Sequence, residues 1–195
     1  MAKRERGPRE RMVMSAAELI RRDGVSATGV RDVVAHAGAP RGSVQHYFPG
    51  GKVQLVNEAV EWVGGFTARR IVRQVEAMER PTPGALFTAM TDKWAQDLTT
   101  SDFAGGCTIA AATVDSAEST ESTRQAAAAA FAAWNRPLAA ALAGMGVPEA
   151  RAEGLAILML STLEGALLIA RAERDVRALT TAGRELAPLL DAAAG

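Results

Sequence analysis

Apolar residues recur along this chain at intervals of three and four positions, which is the spacing of one face of an α-helix. Such stripes run through residues 8–22, 52–79 and 149–173, and breaks rich in glycine and proline separate them. The valines and isoleucines follow the same spacing rather than the strict alternation of a strand. The pattern therefore predicts an all-α fold.

Breaks and capping residues divide the chain into about nine helical segments. The predicted segments span residues 8–22, 29–36, 41–47, 52–79, 83–100, 103–117, 124–143, 149–173 and 175–190. Thr82 is a predicted N-cap followed by Pro83 at the first helical position, and Gly24 is a predicted C-terminal stop. Caps and breaks thus predict where helices begin and end.

The second and third segments are both short, and a turn centred on Gly38 joins them. This is the pattern of a helix-turn-helix, whose second helix lies in the major groove of DNA. On that helix Arg41 can hydrogen-bond guanine, and Gly42 allows a close approach to the base edges. The pattern predicts a DNA-binding head. The alternative is a small helical hairpin whose polar residues only face solvent.

The predicted DNA-binding head differs in net charge from the rest of the chain. The 22 basic and 22 acidic residues cancel, but residues 1–52 hold ten basic and five acidic residues, a charge of +5, which leaves −5 on residues 53–195. A basic head on an acidic body indicates a polyanionic partner for the head. A chance asymmetry on solvated helix faces is the other explanation.

Length and composition describe a globular protein. A chain of 195 residues can bury a core, and a single cysteine, Cys107, excludes an intrachain disulfide. We find neither an uninterrupted apolar run of about 20 residues nor an apolar segment behind the charged N-terminus. We therefore expect a cytoplasmic protein that has no membrane partner.

No constellation typical of an enzyme stands out. His36 and His46 are the two histidines, with no cysteine or carboxylate cluster beside them, and no P-loop or nucleophile elbow is found. We expect no metal, no cofactor and no enzymatic activity. The acidic group of Asp115, Glu118 and Glu121 is interpreted as helix N-terminal charges. The alternative function is an all-α small-molecule-binding protein or enzyme without specific DNA binding.

The head resembles a known family. The stretch from Thr28 to Lys52, with the aromatic pair Tyr47-Phe48 before the lysine, is similar to the DNA-binding segment of TetR-type transcriptional regulators. The Gly-Gly-Lys ending of this stretch resembles the LmrA/YxaF-type branch of the family. Three pieces of the body resemble the same branch: Gly105-Gly106-Cys107, the pair Phe131 and Trp134, and residues 163–172.

The resemblance implies a helix-turn-helix DNA-binding domain over residues 1–52, continuing into the first turns of the next helix, and a ligand-binding and dimerisation domain over residues 53–195. It also implies a repressor that a small effector releases from a near-palindromic operator of double-stranded DNA. The implied base-proximal residues are Arg31, Arg41, Gly42, Ser43 and His46. The implied phosphate contacts are Thr28, Gln45, Tyr47 and Lys52.

Large apolar side chains fall on several helices of the body, although aromatic residues make up only 5% of the chain. We expect them to line an effector pocket, for which the resemblance implies flavonoid-like or other aromatic molecules. For any one of them, plain core packing is the alternative. The predicted pocket residues are Trp62, Phe66, Phe87, Met90, Trp94, Cys107, Ala111, Phe131, Trp134, Met159 and Leu163.

The last two helical segments carry more apolar residues than the core of one monomer needs, and their small residues permit close helix approach. They are therefore expected to form a homodimer. The predicted interface residues are Gly154, Leu158, Gly165, Ala166, Ile169, Leu179 and Leu186.

Overall fold

The structure is a computed structural model that describes residues 6–40, 42–116 and 120–195. Within these residues it contains nine α-helices and no strand, so the predicted all-α fold is confirmed. The helices are α1 Pro8–Ala27, α2 Val30–His36, α3 Ser43–Tyr47, α4 Gly51–Glu76, α5 Pro83–Thr100, α6 Thr108–Ser116, α7 Glu121–Gly144, α8 Glu149–Glu173 and α9 Arg177–Asp191.

Several predicted boundaries differ from the structure by a few residues, and two of them differ where the backbone turns left-handed. Gly24 does not end α1, because one further helical turn follows a kink at its φ of 84°. The segment predicted from residue 103 begins only at Thr108, because Asp102 and Phe103 have φ of 49° and 61°. The predicted cap at Thr82 is confirmed, since its hydroxyl accepts the N–H of Ala85 at 3.1 Å.

The chain forms two compact units, each made from two separate stretches. The first contains Met1–Gly65 and Cys107–Phe131, and the second contains Phe66–Gly106 and Ala132–Gly195. The boundary predicted at residue 52 lies within the first unit. It stays a prediction, because it divides the chain by function rather than by packing.

In the first unit, α6 packs along α1. Met12 and Ile20 on α1 and Ile109 on α6 are fully buried, so both helices contribute to the apolar core of this unit. The buried Thr108 hydroxyl donates to the carbonyl oxygen of Ala17 at 3.0 Å, so its polar group is satisfied inside the core. The N-terminal helices are therefore completed by a segment from the middle of the chain.

In the second unit, α9 packs closely against α5. A Cβ atom added to Gly84 would lie 2.5 Å from the carbonyl oxygen of Ala187, so only glycine fits at this approach. The carboxylate of Asp191 accepts the Gly84 N–H at 2.7 Å and satisfies a free donor at the start of α5. Phe87 and Met159 are fully buried in the core beside these helices.

Candidate nucleic-acid interface

The turn between α2 and α3 is built from left-handed glycines. Gly38 has a φ of 56° and Gly42 a φ of 86°, conformations that glycine adopts at little cost. Arg11 of α1 fixes this turn, because its Nε donates to the Ala37 carbonyl at 3.0 Å and its Nη2 to the Gly38 carbonyl at 3.3 Å. The helix-turn-helix geometry predicted from the sequence is therefore present and held by α1.

The short helix α3 presents polar side chains to solvent and an aromatic anchor to the core. Gln45 and His46 are exposed, whereas Phe48, directly after the helix, is buried. Tyr47 is half-buried, and its ring meets that of His46 edge-on with 4.8 Å between centroids. Ser43 is half-buried, and its hydroxyl donates to the Pro40 carbonyl at 2.7 Å. The exposed edge of α3 has room for a groove contact.

Two other predicted base contacts of the head are arginines. Arg31 is exposed on α2, where a long basic side chain can extend towards DNA. Arg41, the residue expected to read guanine, lies outside the described residues.

The predicted phosphate contacts Thr28 and Lys52 lie near one bend of the backbone. The Thr28 hydroxyl is buried and donates to the Gly24 carbonyl at 2.6 Å, so in this structure it stabilises the kink of α1. The Lys52 ammonium lies 3.5 Å from the Ser26 carbonyl and remains partly exposed. Contact of either residue with a phosphate stays a prediction.

Asp115 is a residue of this site that the sequence analysis misinterpreted. It lies in the last turn of α6 rather than at a helix N-terminus, and its Oδ2 accepts the N–H groups of Val25 at 2.7 Å and Ser26 at 3.2 Å. The one signal in the sequence was Gly24, which interrupts a helical stretch and leaves N–H groups to be satisfied.

The other two members of the predicted acidic group have different outcomes. Glu118 lies outside the described residues. Glu121 does occupy the first turn of α7, as predicted. Hydrogen bonds from Arg124 and then Gln125 lower the pKa of Glu121 to about 2.

The predicted pocket residues are divided between the two compact units. Trp62, Cys107, Ala111 and Phe131 belong to the first unit. Phe66, Phe87, Met90, Trp94, Trp134, Met159 and Leu163 belong to the second. Within the second unit Trp134 is 2% exposed and Trp94 is half-buried, while Phe66 is 40% exposed. Burial alone does not separate a pocket wall from plain core packing, so both interpretations of these side chains remain.

The second unit also contains an open groove of about 580 Å³ between α5 and α9, which the sequence analysis did not predict. Threonines and charged side chains line it, among them Thr88, Thr180, Asp92 and Arg184. None of the predicted pocket residues lies on this groove. Within the described part of the chain, no three histidine, cysteine or carboxylate side chains come together as a metal site.

The predicted interface residues fall into an exposed and a buried set. Leu158 and Ile169 of α8 are 45% and 51% exposed, and Gly154 and Gly165 are at least partly accessible. Ala166, Leu179 and Leu186 are buried in the core of the second unit. The sequence analysis did not single out Ile157 and Leu168, which are 52% and 57% exposed on the same helix. The apolar surface of α8 is therefore larger than expected.

An 18-residue window of α8 has a mean hydropathy of 1.7. Length and composition alone make this helix long and apolar enough to cross a membrane, and 39% of that window is buried in the structure. A core helix of a globular protein meets the same criteria.

Two family models match the chain. The model of bacterial regulatory proteins of the tetR family matches residues 13–59, which include α2, α3 and the start of α4. The C-terminal domain of LmrA/YxaF-like transcriptional regulators matches residues 83–185, more than half of the chain.

Relatives and solved structures agree with these matches. An uncharacterised HTH-type transcriptional regulator of Mycobacterium tuberculosis, Rv0196, is 45% identical over 189 residues, which cover 94% of each chain. The HTH-type regulator LmrA of Bacillus subtilis is 26% identical over 83% of this chain and 85% of its own. A TetR regulator from Legionella pneumophila has the same fold, with a TM-score of 0.80 at 20% identity over 96% of this chain and 99% of that one. The chain thus belongs to the TetR family of transcriptional regulators, with a helix-turn-helix DNA-binding domain, and is not an enzyme.

Proposed function

We propose that this regulator is a cytoplasmic repressor that binds a near-palindromic operator as a homodimer and is released by a small apolar or aromatic effector. The observation that carries the proposal is the exposed edge of α3, where Gln45 and His46 project from a helix-turn-helix in a segment of charge +5. A basic segment is attracted to the phosphates of any duplex, and groups on such a helix can read the base edges.

The residues of the head divide between these two tasks. Some residues on or beside α3, together with Arg31, read the bases, while other residues of α3 and its surroundings hold the phosphates and fix the position of the head. The proposed base contacts are Arg31, Arg41, Gly42, Ser43 and His46. The proposed phosphate contacts are Thr28, Gln45, Tyr47 and Lys52.

The exposed face of α8 supports a homodimer. Four large aliphatic side chains on one helix, Ile157, Leu158, Leu168 and Ile169, are each 45–57% exposed. Exposed apolar surface on one helix is typical of a protein–protein interface, and a second copy of the same helix would cover it with two-fold symmetry. Gly154 and Gly165 on α8 allow the two helices to approach closely. A two-fold dimer presents two copies of α3, and for this reason we propose a near-palindromic operator.

The effector is proposed to bind in the second unit, close to Trp94 and Trp134. The match of residues 83–185 to an LmrA/YxaF-like C-terminal domain supports this, because both tryptophans lie within the matched residues. An effector shifts the protein away from DNA only if it binds the DNA-incompetent state more tightly. The proposed effector therefore has a higher affinity for free protein than for the protein bound to its operator.

Selection from a randomised DNA library with the full-length protein tests the proposal. A repressor of this kind enriches a near-palindromic duplex, and its affinity falls steeply as salt is raised. Enrichment of no sequence, together with a flat salt dependence, would instead favour an all-α small-molecule-binding protein. Release of the enriched duplex by members of a planar aromatic library then tests the effector.

A further inference from the structure

The short stretch from Gly24 to Ser26 determines where the helix-turn-helix begins. At Gly24, φ is 84° and ψ is 170°, so the chain leaves the axis of α1 there. One helical turn ends at Ala27, and α2 starts at Val30. Because so few residues separate the kink from α2, a displacement of the kink displaces the start of α2 as well.

The kink is held from one side by Asp115 of α6. Its Oδ2 accepts the Val25 N–H at 2.7 Å and the Ser26 N–H at 3.2 Å, at the start of the helical turn that follows the kink, where N–H groups need acceptors. A Cβ atom on Gly24 would lie 2.7 Å from the same oxygen. The glycine therefore allows both the left-handed backbone and the close approach of the carboxylate.

From the other side the kink meets two residues proposed to contact phosphates. The Thr28 hydroxyl donates to the Gly24 carbonyl, and the Lys52 ammonium lies 3.5 Å from the Ser26 carbonyl. One peptide segment thus connects the carboxylate of α6 with the phosphate-facing side of the head. The anchor on α6 is firm, because Ile109 and Ala112 are fully buried against the first unit's core.

The charge of the carboxylate at residue 115 has opposing effects. It lies in the last turn of α6, where the helix dipole disfavours a negative charge. It also lies beside a basic segment, which attracts the carboxylate, although the proposed partner of that segment is a polyanion that repels it. The two hydrogen bonds to Val25 and Ser26 are the contribution that depends on the position of the carboxylate.

We propose that Asp115 is a positioning residue for DNA binding: by fixing Val25 and Ser26, its carboxylate sets the start of α2 relative to Thr28 and Lys52. Asp115 itself does not contact DNA. The inference rests on the proposed operator binding. It makes α6 a second element of the first unit, besides α1, on which the placement of α2 depends.

Two substitutions separate geometry from charge. Asp115→Asn keeps the shape of the side chain and one oxygen acceptor but removes the charge. Asp115→Glu keeps the charge but moves the carboxylate outwards by one methylene group. Asp115→Ala removes the charge and the hydrogen-bond acceptor together. Glu121 is an exposed carboxylate of the same unit, so Glu121→Ala controls for the loss of one negative charge.

The experiment measures binding to the duplex that wild-type protein selects from a random library. We expect Asp115→Ala and Asp115→Glu to lose affinity about tenfold, and Asp115→Asn to stay within about threefold of wild type. The slope of affinity against salt should not change, because no phosphate contact is removed. In amide hydrogen exchange, Val25 and Ser26 should lose protection in the alanine and glutamate variants only. Glu121→Ala should bind as wild type does.

Wild-type affinity in Asp115→Glu, or tighter binding in both Asp115→Asn and Asp115→Ala, would overturn the inference, since a residue that acts only through its charge gives that result. A wild-type protein that selects no duplex would contradict the proposed function instead. The asparagine variant preserves side-chain volume, and the glutamate variant adds one methylene group at an exposed position, so their order of affinity decides the question even if the alanine variant is unstable.

Discussion

The guanidinium of Arg11 donates from Nε to the carbonyl oxygen of Ala37 at 3.0 Å, which joins α1 to the turn that follows α2. Carbonyls at the end of a helix lack partners within the helix, and a cation there also interacts favourably with the helix dipole. The same side chain reaches Gly38 and, through Nη1, the Arg6 carbonyl at 2.9 Å. One arginine therefore satisfies several carbonyls around the helix-turn-helix.

Arg11→Ala should lower the free energy of unfolding by about 1–2 kcal/mol, because the hydrogen bonds to Ala37 and Gly38 involve a charged donor. Urea unfolding followed by circular dichroism measures this change. Arg6→Ala is the matched control, since Arg6 is exposed and pairs with Glu10 one helical turn away. Equal stability of the two variants would mean that Arg11 does not hold the turn.

Lys52→Ala should weaken binding to selected and random duplexes by the same factor and reduce the salt slope by about one, because one phosphate contact is lost. Fluorescence anisotropy at several salt concentrations provides both values. Lys93→Ala controls for the loss of a lysine, since Lys93 lies on α5 in the second unit and pairs with Asp97. A change confined to the selected duplex would assign base reading to Lys52.

His46→Ala and Gln45→Ala form a pair of neighbouring substitutions on the exposed edge of α3. The first should reduce the preference for the selected duplex by about 1–3 kcal/mol, because it removes a proposed base contact. The second should lower affinity for all duplexes alike. Binding to a panel of single-base variants of the selected duplex distinguishes these effects. An unchanged sequence preference in His46→Ala would show that His46 does not read a base.

Leu158→Glu should convert the proposed dimer into a monomer at micromolar concentration, because a buried unpaired charge is costly at an apolar interface. Sedimentation velocity measures the mass. Val72 on α4 is 45% exposed, as Leu158 is, and Val72→Glu should leave the dimer intact. If Leu158→Glu has the same sedimentation coefficient as the wild type, either another surface forms the dimer interface or the wild type is a monomer.

Trp94→Ala should keep operator affinity but lose release by a planar aromatic effector, because the half-buried indole is proposed to contact that molecule. The measurement is the concentration of a confirmed effector that releases half of the bound duplex. Trp94→Phe keeps an aromatic ring and should respond at an intermediate concentration. If Trp94→Ala and Trp134→Ala both respond normally, the effector binds elsewhere.

Local patterns in the sequence were sufficient for most of the helices. The apolar periodicity predicted α8 with its observed bounds, and Thr82 and Pro83 predicted the start of α5, because these signals act within one or two helical turns. The exposed polar residues of α3 followed from the same kind of reasoning. The resemblance of the segment from Thr28 to Lys52 was what supplied a function for them.

The sequence did not predict contacts between distant parts of the chain. Asp115 meets Val25 across 90 positions, and no spacing rule relates two such residues. The left-handed residues Asp102 and Phe103 delay the start of α6, although both are compatible with helix. Leu179 was expected at an interface but is fully buried, because an apolar stripe does not reveal which neighbour covers it.

The interleaving of the two units has a consequence for the order in which the protein can fold during synthesis. The N-terminal helices leave the ribosome first, yet Cys107–Phe131 completes their unit, and Thr108 and Ile109 supply part of its core. A nascent chain that ends at residue 65 exposes the part of α1 that α6 later covers. The second unit depends on a still more distant segment, because Asp191, which accepts an N–H at the start of α5, lies 107 positions after Gly84. Neither unit is complete until a distant segment has been made, so until then the growing chain exposes apolar surface on which chaperones can act.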